Sequence, residues 1–169
     1  MSYKPVMANS FLVSLFEFKR WIDAELYKSL CALPVEKRAE IIVPIFTLDH
    51  AMRVDSVFRA RLEGKAEPFG MIVSNTMPDL DMLARTVADN DDWYVNYVRN
   101  ASEDELNELI EFDFVSDDDK GRMTRGQMLA HVLTHNQSHR GGVGKMLEPL
   151  GIQIPSDMFT SYVSAGAPH

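Results

Sequence analysis

Cysteine is nearly missing from this chain: Cys31 stands alone among 169 residues. One thiol excludes a disulfide framework and a thiolate-rich zinc site. Its expected place is the inside of the first helix, as a small buried residue. Basic residues are also in short supply, with 17 Lys and Arg against 25 Asp and Glu for a formal net charge of -8. That balance argues against a general nucleic-acid binder, because phosphate contacts need clustered Lys and Arg. No window of about twenty apolar residues exists, so no membrane span is expected. The start, MSYKPVMANSF, lacks the apolar run of a signal peptide. The expectation is a cytoplasmic protein. Its length and apolar content suit one domain over residues 1–169 with a single sizeable core. The Asn136-Gln137-Ser138 sequon falls inside a helical pattern and is read as accidental.

Apolar residues recur at i, i+3, i+4 over four long stretches. The first runs over 8–32, with Phe11, Leu15, Phe16, Phe18, Ile22, Leu26 and Leu30, and stops at Pro34. A short helical turn over 35–41 precedes a second helix over about 43–63, with Pro44 in its first turn and Gly64 closing it. After a loop over 65–77, Pro78 opens a third helix to about 100. Ser102 with Glu105 has capping-box spacing and starts a short helix over 103–109. The alternation of IEFDFV at 110–115 is strand-like, and the Asp117-Asp118-Asp119 run reads as a solvated turn. Together they predict a two-stranded hairpin over about 110–124. Thr124 with Gln127 repeats the capping-box spacing and starts the last long helix, 125–150, which Gly151 ends. Phe159 and Tyr162 should pack the tail back onto the body. The fold class expected is all-α: a four-helix bundle with a small β-hairpin before the last long helix.

Histidine is scarce, with five in all, yet three recur at intervals of four: His131, His135 and His139. Residues four apart share a helix face about 6 Å apart along the axis, so two such imidazoles can reach one ion. All three span about 12 Å, too far for one ion to take the outer pair. The ligating pair is therefore 131 with 135 or 135 with 139, and spacing leaves that open. His50, mid-helix on another predicted bundle helix, is the candidate third ligand. Asp49, Asp55 and Asn136 neighbour these histidines and could orient the imidazoles, but each reads as a surface polar residue. Arg140 could bind an anionic substrate group. Its competing reading is an ion pair on the helix surface. Gly141, Gly142 and Gly144 could admit a close neighbour, another helix or a dimer mate. Trp21, Trp93 and Tyr97 read as core residues from their helical spacing.

The segment LAHVLTHNQSHRGG, from Leu129 to Gly142, resembles the C-terminal helix signature of the DinB/YfiT-like family, whose members are taken for metal-dependent enzymes. The signature reads approximately H-hydrophobic-x-N-H-x-x-x-H-R-G, and His131, His135, His139, Arg140 and Gly141 match it. FTLDHAMRVDSVFRARLEG resembles the family's second-helix motif, with His50 at the ligand position. Two departures, Thr134 for Asn and Gly142 where Gln is frequent, bear on the surroundings of the ligands. The resemblance implies a four-helix bundle, a divalent metal held by His50, His135 and His139, and a nearby, non-ligating His131. Zinc, nickel, iron and manganese all suit three imidazoles. It also implies a homodimer. Some relatives act with low-molecular-weight thiols, so a metal-dependent transferase using such a thiol on a small-molecule substrate is the leading expectation. The alternatives are a metal-dependent hydrolase using metal-bound water and a non-catalytic metal-binding stress protein.

Overall fold

The computed structural model describes residues 9–114 and 120–166. The acidic run Asp117 to Asp119, Val115 and the terminal His169 lie outside the described residues. Helix α1, Asn9–Cys31, ends three residues before Pro34. A short helix, α2, Val35–Arg38, and a 3-10 turn, Ala39–Ile41, lead into α3, Ile42–Glu63. Gly64 closes α3 at φ 65, where an L side chain would be strained, and returns its N–H to the carbonyls of Ala60 and Arg61.

Helix α4, Leu80–Asn100, begins two residues after Pro78. Asp79 is the cap: its carboxylate accepts from the Met82 N–H at 2.7 Å. Both capping boxes form. Ser102 and Glu105 bond reciprocally at the start of α5, Glu103–Asn107, and Thr124 and Gln127 do so at the start of α6, Arg125–Leu147. The chain leaves α5 two residues earlier than expected, because Leu109 already belongs to strand β1, Leu109–Asp113. That strand pairs antiparallel with β2, Lys120–Thr124, placing Phe112 opposite Gly121. A 3-10 turn, Glu148–Leu150, completes the last long helix, and Gly151 stops it at φ 68. The tail ends in α7, Phe159–Ser164.

The long helices α1, α3, α4 and α6 form the bundle, with α1 packed on α4 and α3 on α6. Two apolar clusters fill it. One gathers Leu26, Leu30, Leu48, Leu83, Val143 and Leu147; the other gathers Phe16, Phe58, Tyr94, Val98, Met128 and Val132. Each such side chain, fully buried, contributes about 1.5–3 kcal/mol. The tail packs back as expected: Tyr162 and Phe159 stand 5.5 Å from the Phe18 ring. Trp21, Trp93 and Tyr97 are half-buried at cluster edges. Cys31 is on α1 as expected, but it is half-buried rather than buried, because it is the last residue of the helix. No helix among the described residues is long and apolar enough to cross a membrane.

Charge lies between the two clusters. The Lys19 ammonium, 1% exposed, is bonded to Asp23 at 2.9 Å, Asp55 at 3.0 Å and Asp91 at 2.5 Å. Burial opposes its charge, but the three carboxylates prevail and hold it well above the ordinary lysine range. Arg140 extends the network from α6 to Asp23 at 3.1 Å and to Asp157 of the tail at 2.8 Å. Asp55 and Asn136 therefore lie inside the bundle, contrary to the surface positions expected of them. Asn136 donates to the Asp55 carboxylate at 2.6 Å. Asp49 is buried as well, paired with Arg53 at 2.7 Å.

Burial, only partly offset by Lys19, pushes Asp91 up to about 8. Unfolded, the same carboxyl titrates near 3.8. Between those values the folded state holds a proton that the unfolded state has lost, so stability falls as pH rises toward 8. The three histidines with lowered pKa give the opposite slope, which fades as their unfolded forms lose the proton and is small above about pH 7.5. Calorimetric melting of the metal-free protein should therefore show Tm declining from about pH 7.5 to 8. Asp91→Asn should flatten that decline; an unchanged slope in the variant would contradict the assignment.

Candidate metal centre

Helices α3 and α6 run antiparallel, which brings residue 50 opposite residues 135 and 139. Near the far end, Arg125 of α6 donates to the Leu62 carbonyl of α3 at 2.7 Å. Within this pairing the His50 ring lies 5.1 Å from that of His135 and 5.0 Å from that of His139. One ring nitrogen from each of the three lies within 4.8 Å of the others. The structure thus brings together His50, His135 and His139, the 135/139 pair rather than 131/135. His131 lies one turn away, stacked between Phe58 at 4.7 Å and His135 at 5.3 Å.

The donor set fits a divalent ion. Nε2 of His139 faces Nε2 of His135 at 3.0 Å. Two nitrogens binding one ion at about 2.0–2.1 Å lie about 2.8–3.4 Å apart at octahedral or tetrahedral angles. Two neutral imidazoles with facing lone pairs repel unless a proton or a cation lies between them. Burial, with the nearby charges of His139, His50 and His131, pushes His135 down to about 3. Burial, with His50, also lowers His139. Both are neutral at pH 7, the form a metal needs. On the far side of His50, Nδ1 donates to the Ile72 carbonyl at 2.8 Å and leaves Nε2 as the free acceptor. That carbonyl, in the loop after α3, is the outer partner that none of Asp49, Asp55 and Asn136 supplies. Nδ1 of His135 is buried without a hydrogen-bond partner among the described residues.

His50 and His135 form part of the wall of a cavity of about 450 Å³. The rest of the wall is mostly apolar, including Val54, Val57, Phe58, Phe112 and Met123, with Arg61 as its charged member. His131 lines it too, and burial, with the Arg61 charge, lowers its pKa. Arg140 does not line this cavity among the described residues. It is 5% exposed, between Asp23 and Asp157. It is neither on the surface nor turned to the cavity; it ties α6 to α1 and the tail. The departures from the family pattern do not touch the cluster. Thr134 is exposed and bonds the Ala130 carbonyl, and a Cβ at Gly141 or Gly142 would meet nothing within 4 Å. Gly144 alone of the three meets a close neighbour, Ile154, at 3.4 Å.

The full chain dialysed against zinc should retain about one equivalent, as a three-imidazole site predicts. His50→Ala, His135→Ala and His139→Ala should each weaken zinc by more than the about 10–100-fold that an outer-shell partner costs. His131→Ala should keep the ion. Elemental analysis after dialysis reads this directly; full retention in His50→Ala would contradict the cluster.

Comparison with curated proteins and with solved structures gives no match. A family model described as the DinB superfamily matches residues 44–143, more than half of the 169. That span carries all three clustered histidines together with His131 and Arg140. The chain belongs to the DinB superfamily.

Proposed function

We propose that this protein is a metal-dependent transferase that joins a low-molecular-weight thiol to an apolar electrophile, with a divalent ion held by His50, His135 and His139. The observation that carries the reading is the shared wall: two of the three clustered imidazoles, His50 and His135, line a largely apolar cavity of about 450 Å³. That volume lies within the usual range for small-molecule sites.

A bound divalent ion would supply a charge that lowers the pKa of a coordinated thiol. The chain's own residues prepare for it. The Ile72 carbonyl holds the proton of His50 on Nδ1, so Nε2 faces the cluster. His131 supports the ring of His135 by stacking on it. Val54, Val57, Phe58 and Met123 exclude water from the space where thiol and electrophile meet, which keeps a thiolate poorly solvated and reactive. The homodimer implied by the family resemblance belongs to the same proposal; the three imidazoles come from one chain.

The test uses the metal-loaded full chain, a panel of thiols (glutathione, cysteine, coenzyme A) and an aryl chloride activated by a nitro group. The C–S bond forms, the C–Cl bond breaks, chloride leaves with the electron pair, and the thiol proton passes to buffer. Loss of free thiol and release of chloride should exceed background and fall by about 100-fold or more in His50→Ala and His139→Ala, the scale of a lost metal contribution. No turnover with any thiol would remove the reading. Turnover of an ester that needs no thiol would favour the hydrolase instead.

A further inference from the structure

Arg61 is a buried cation in an apolar wall. It lies on α3 eleven residues beyond His50, about 16 Å along the axis, a distance that two inward-reaching side chains shorten. Its side chain is 6% exposed. The guanidinium rests 4.0 Å from the centre of the Phe112 ring and 5.3 Å from that of Phe58. Nε donates to Glu67 at 2.6 Å and Nη2 to the Asp113 carbonyl at 2.8 Å. A guanidinium carries five N–H groups in a fixed fork, so these two bonds fix its plane and leave donors over. Nη1 makes no hydrogen bond among the described residues. Glu67, 29% exposed, offsets the charge from one edge only.

The opposite wall comes from the hairpin. Phe112 pairs with Gly121 across the strands. A Cβ at Gly121 would lie 2.2 Å from Phe112 Cε2 and 2.3 Å from Cζ. The ring therefore fills the space beside the glycine, a position that any other residue at 121 would deny it. Phe112 lines the cavity beside Phe58 and Phe114, at centroid distances of 6.4 and 5.4 Å, with the Arg61 guanidinium over its ring.

We propose that this cavity selects a ligand with an apolar body and an anionic end, the body against Val54, Val57 and Met123 and the anion on Arg61. Taking that ligand as the electrophile rests on the transferase reading above; the selectivity itself does not. A mostly apolar wall suits an apolar body, and a desolvated guanidinium binds carboxylate or sulfonate oxygens more strongly than neutral acceptors. The anion at Arg61 leaves the other end of the body directed toward the histidine cluster.

The test is direct binding to the zinc-loaded full chain by fluorescence, without thiol and without turnover. The probes are 8-anilinonaphthalene-1-sulfonate and its neutral counterpart N-phenyl-1-naphthylamine. The wild type should bind the sulfonate more tightly by about ten-fold, the worth of one charge-assisted contact. Arg61→Met should bring the two probes within about two-fold of each other, Arg61→Lys should keep part of the preference, and Glu67→Gln should enlarge it. Gly121→Ala should weaken both probes together by displacing Phe112. Equal binding of the two probes by the wild type, which needs no variant to fold, overturns the proposal. So does a preference that survives in folded Arg61→Met. Selective binding without any thiol transfer would leave this inference standing and remove the transferase.

Discussion

The antiparallel register of α3 against α6 is the constraint on which the rest depends. A one-turn slip would move His50 by about 5.4 Å and separate it from His135 and His139. Two contacts fix that register. Arg125 binds the Leu62 carbonyl near one end, Asn136 binds Asp55 in the middle, and the histidines meet beyond it. The middle contact does not act alone, because Asp55 is also held by Lys19 from α1. Through Lys19 the same network reaches Asp91 on α4, and through Asp23 and Arg140 it returns to α6 beside His139. Buried ion pairs add little net stability over apolar residues of the same shape, but removing one partner costs about 3–5 kcal/mol. Such a network penalises every wrong register more than it stabilises the right one. Here it holds the helix carrying two of the histidines against the helix carrying the third.

The bundle leaves the face beside the cluster to other elements. The loop after α3 supplies the Ile72 carbonyl behind His50, and the hairpin supplies Phe112, Phe114 and Met123 as a wall. These pieces lie between α3 and α6 in the chain, and they divide the work. The two helices hold the imidazoles, while the inserted loop and hairpin set the shape of what can approach them. Arg61 belongs to both parts, since it lies on α3 and is fastened to the hairpin through Asp113.

The helices were legible because their ends are chemically marked. Pro34, Gly64, Gly151 and the two capping boxes fall where the chain turns. Pro78 misled by two residues, because the Asp79 carboxylate after it can cap the helix and does. The histidine spacing was legible, but the choice between 131 and 139 was not, since periodicity carries no register between two helices. The Ile72 carbonyl had no signature at all; a backbone acceptor exists at every residue. The charge network left a signal that went unread. Lys19 and Asp23 occupy the stripe that Phe16, Leu26 and Leu30 define, and Asp91 lies between Val87 and Tyr94 at core spacing. Polar residues at several core positions of different helices, with both signs present, point to partners inside the bundle. Asp55 lies off the face of His50, and its own face is buried too, against α1 and α4.

The central claim is an open three-imidazole site that admits a thiol. X-ray absorption fine structure on the zinc-loaded full chain, recorded without and with a small thiol, tests it most directly. The account predicts imidazole scattering at about 2.0–2.1 Å, with a sulfur shell near 2.3 Å appearing only when the thiol is added. A coordination shell that shows no imidazole scattering, or one that the thiol leaves unchanged, would contradict it.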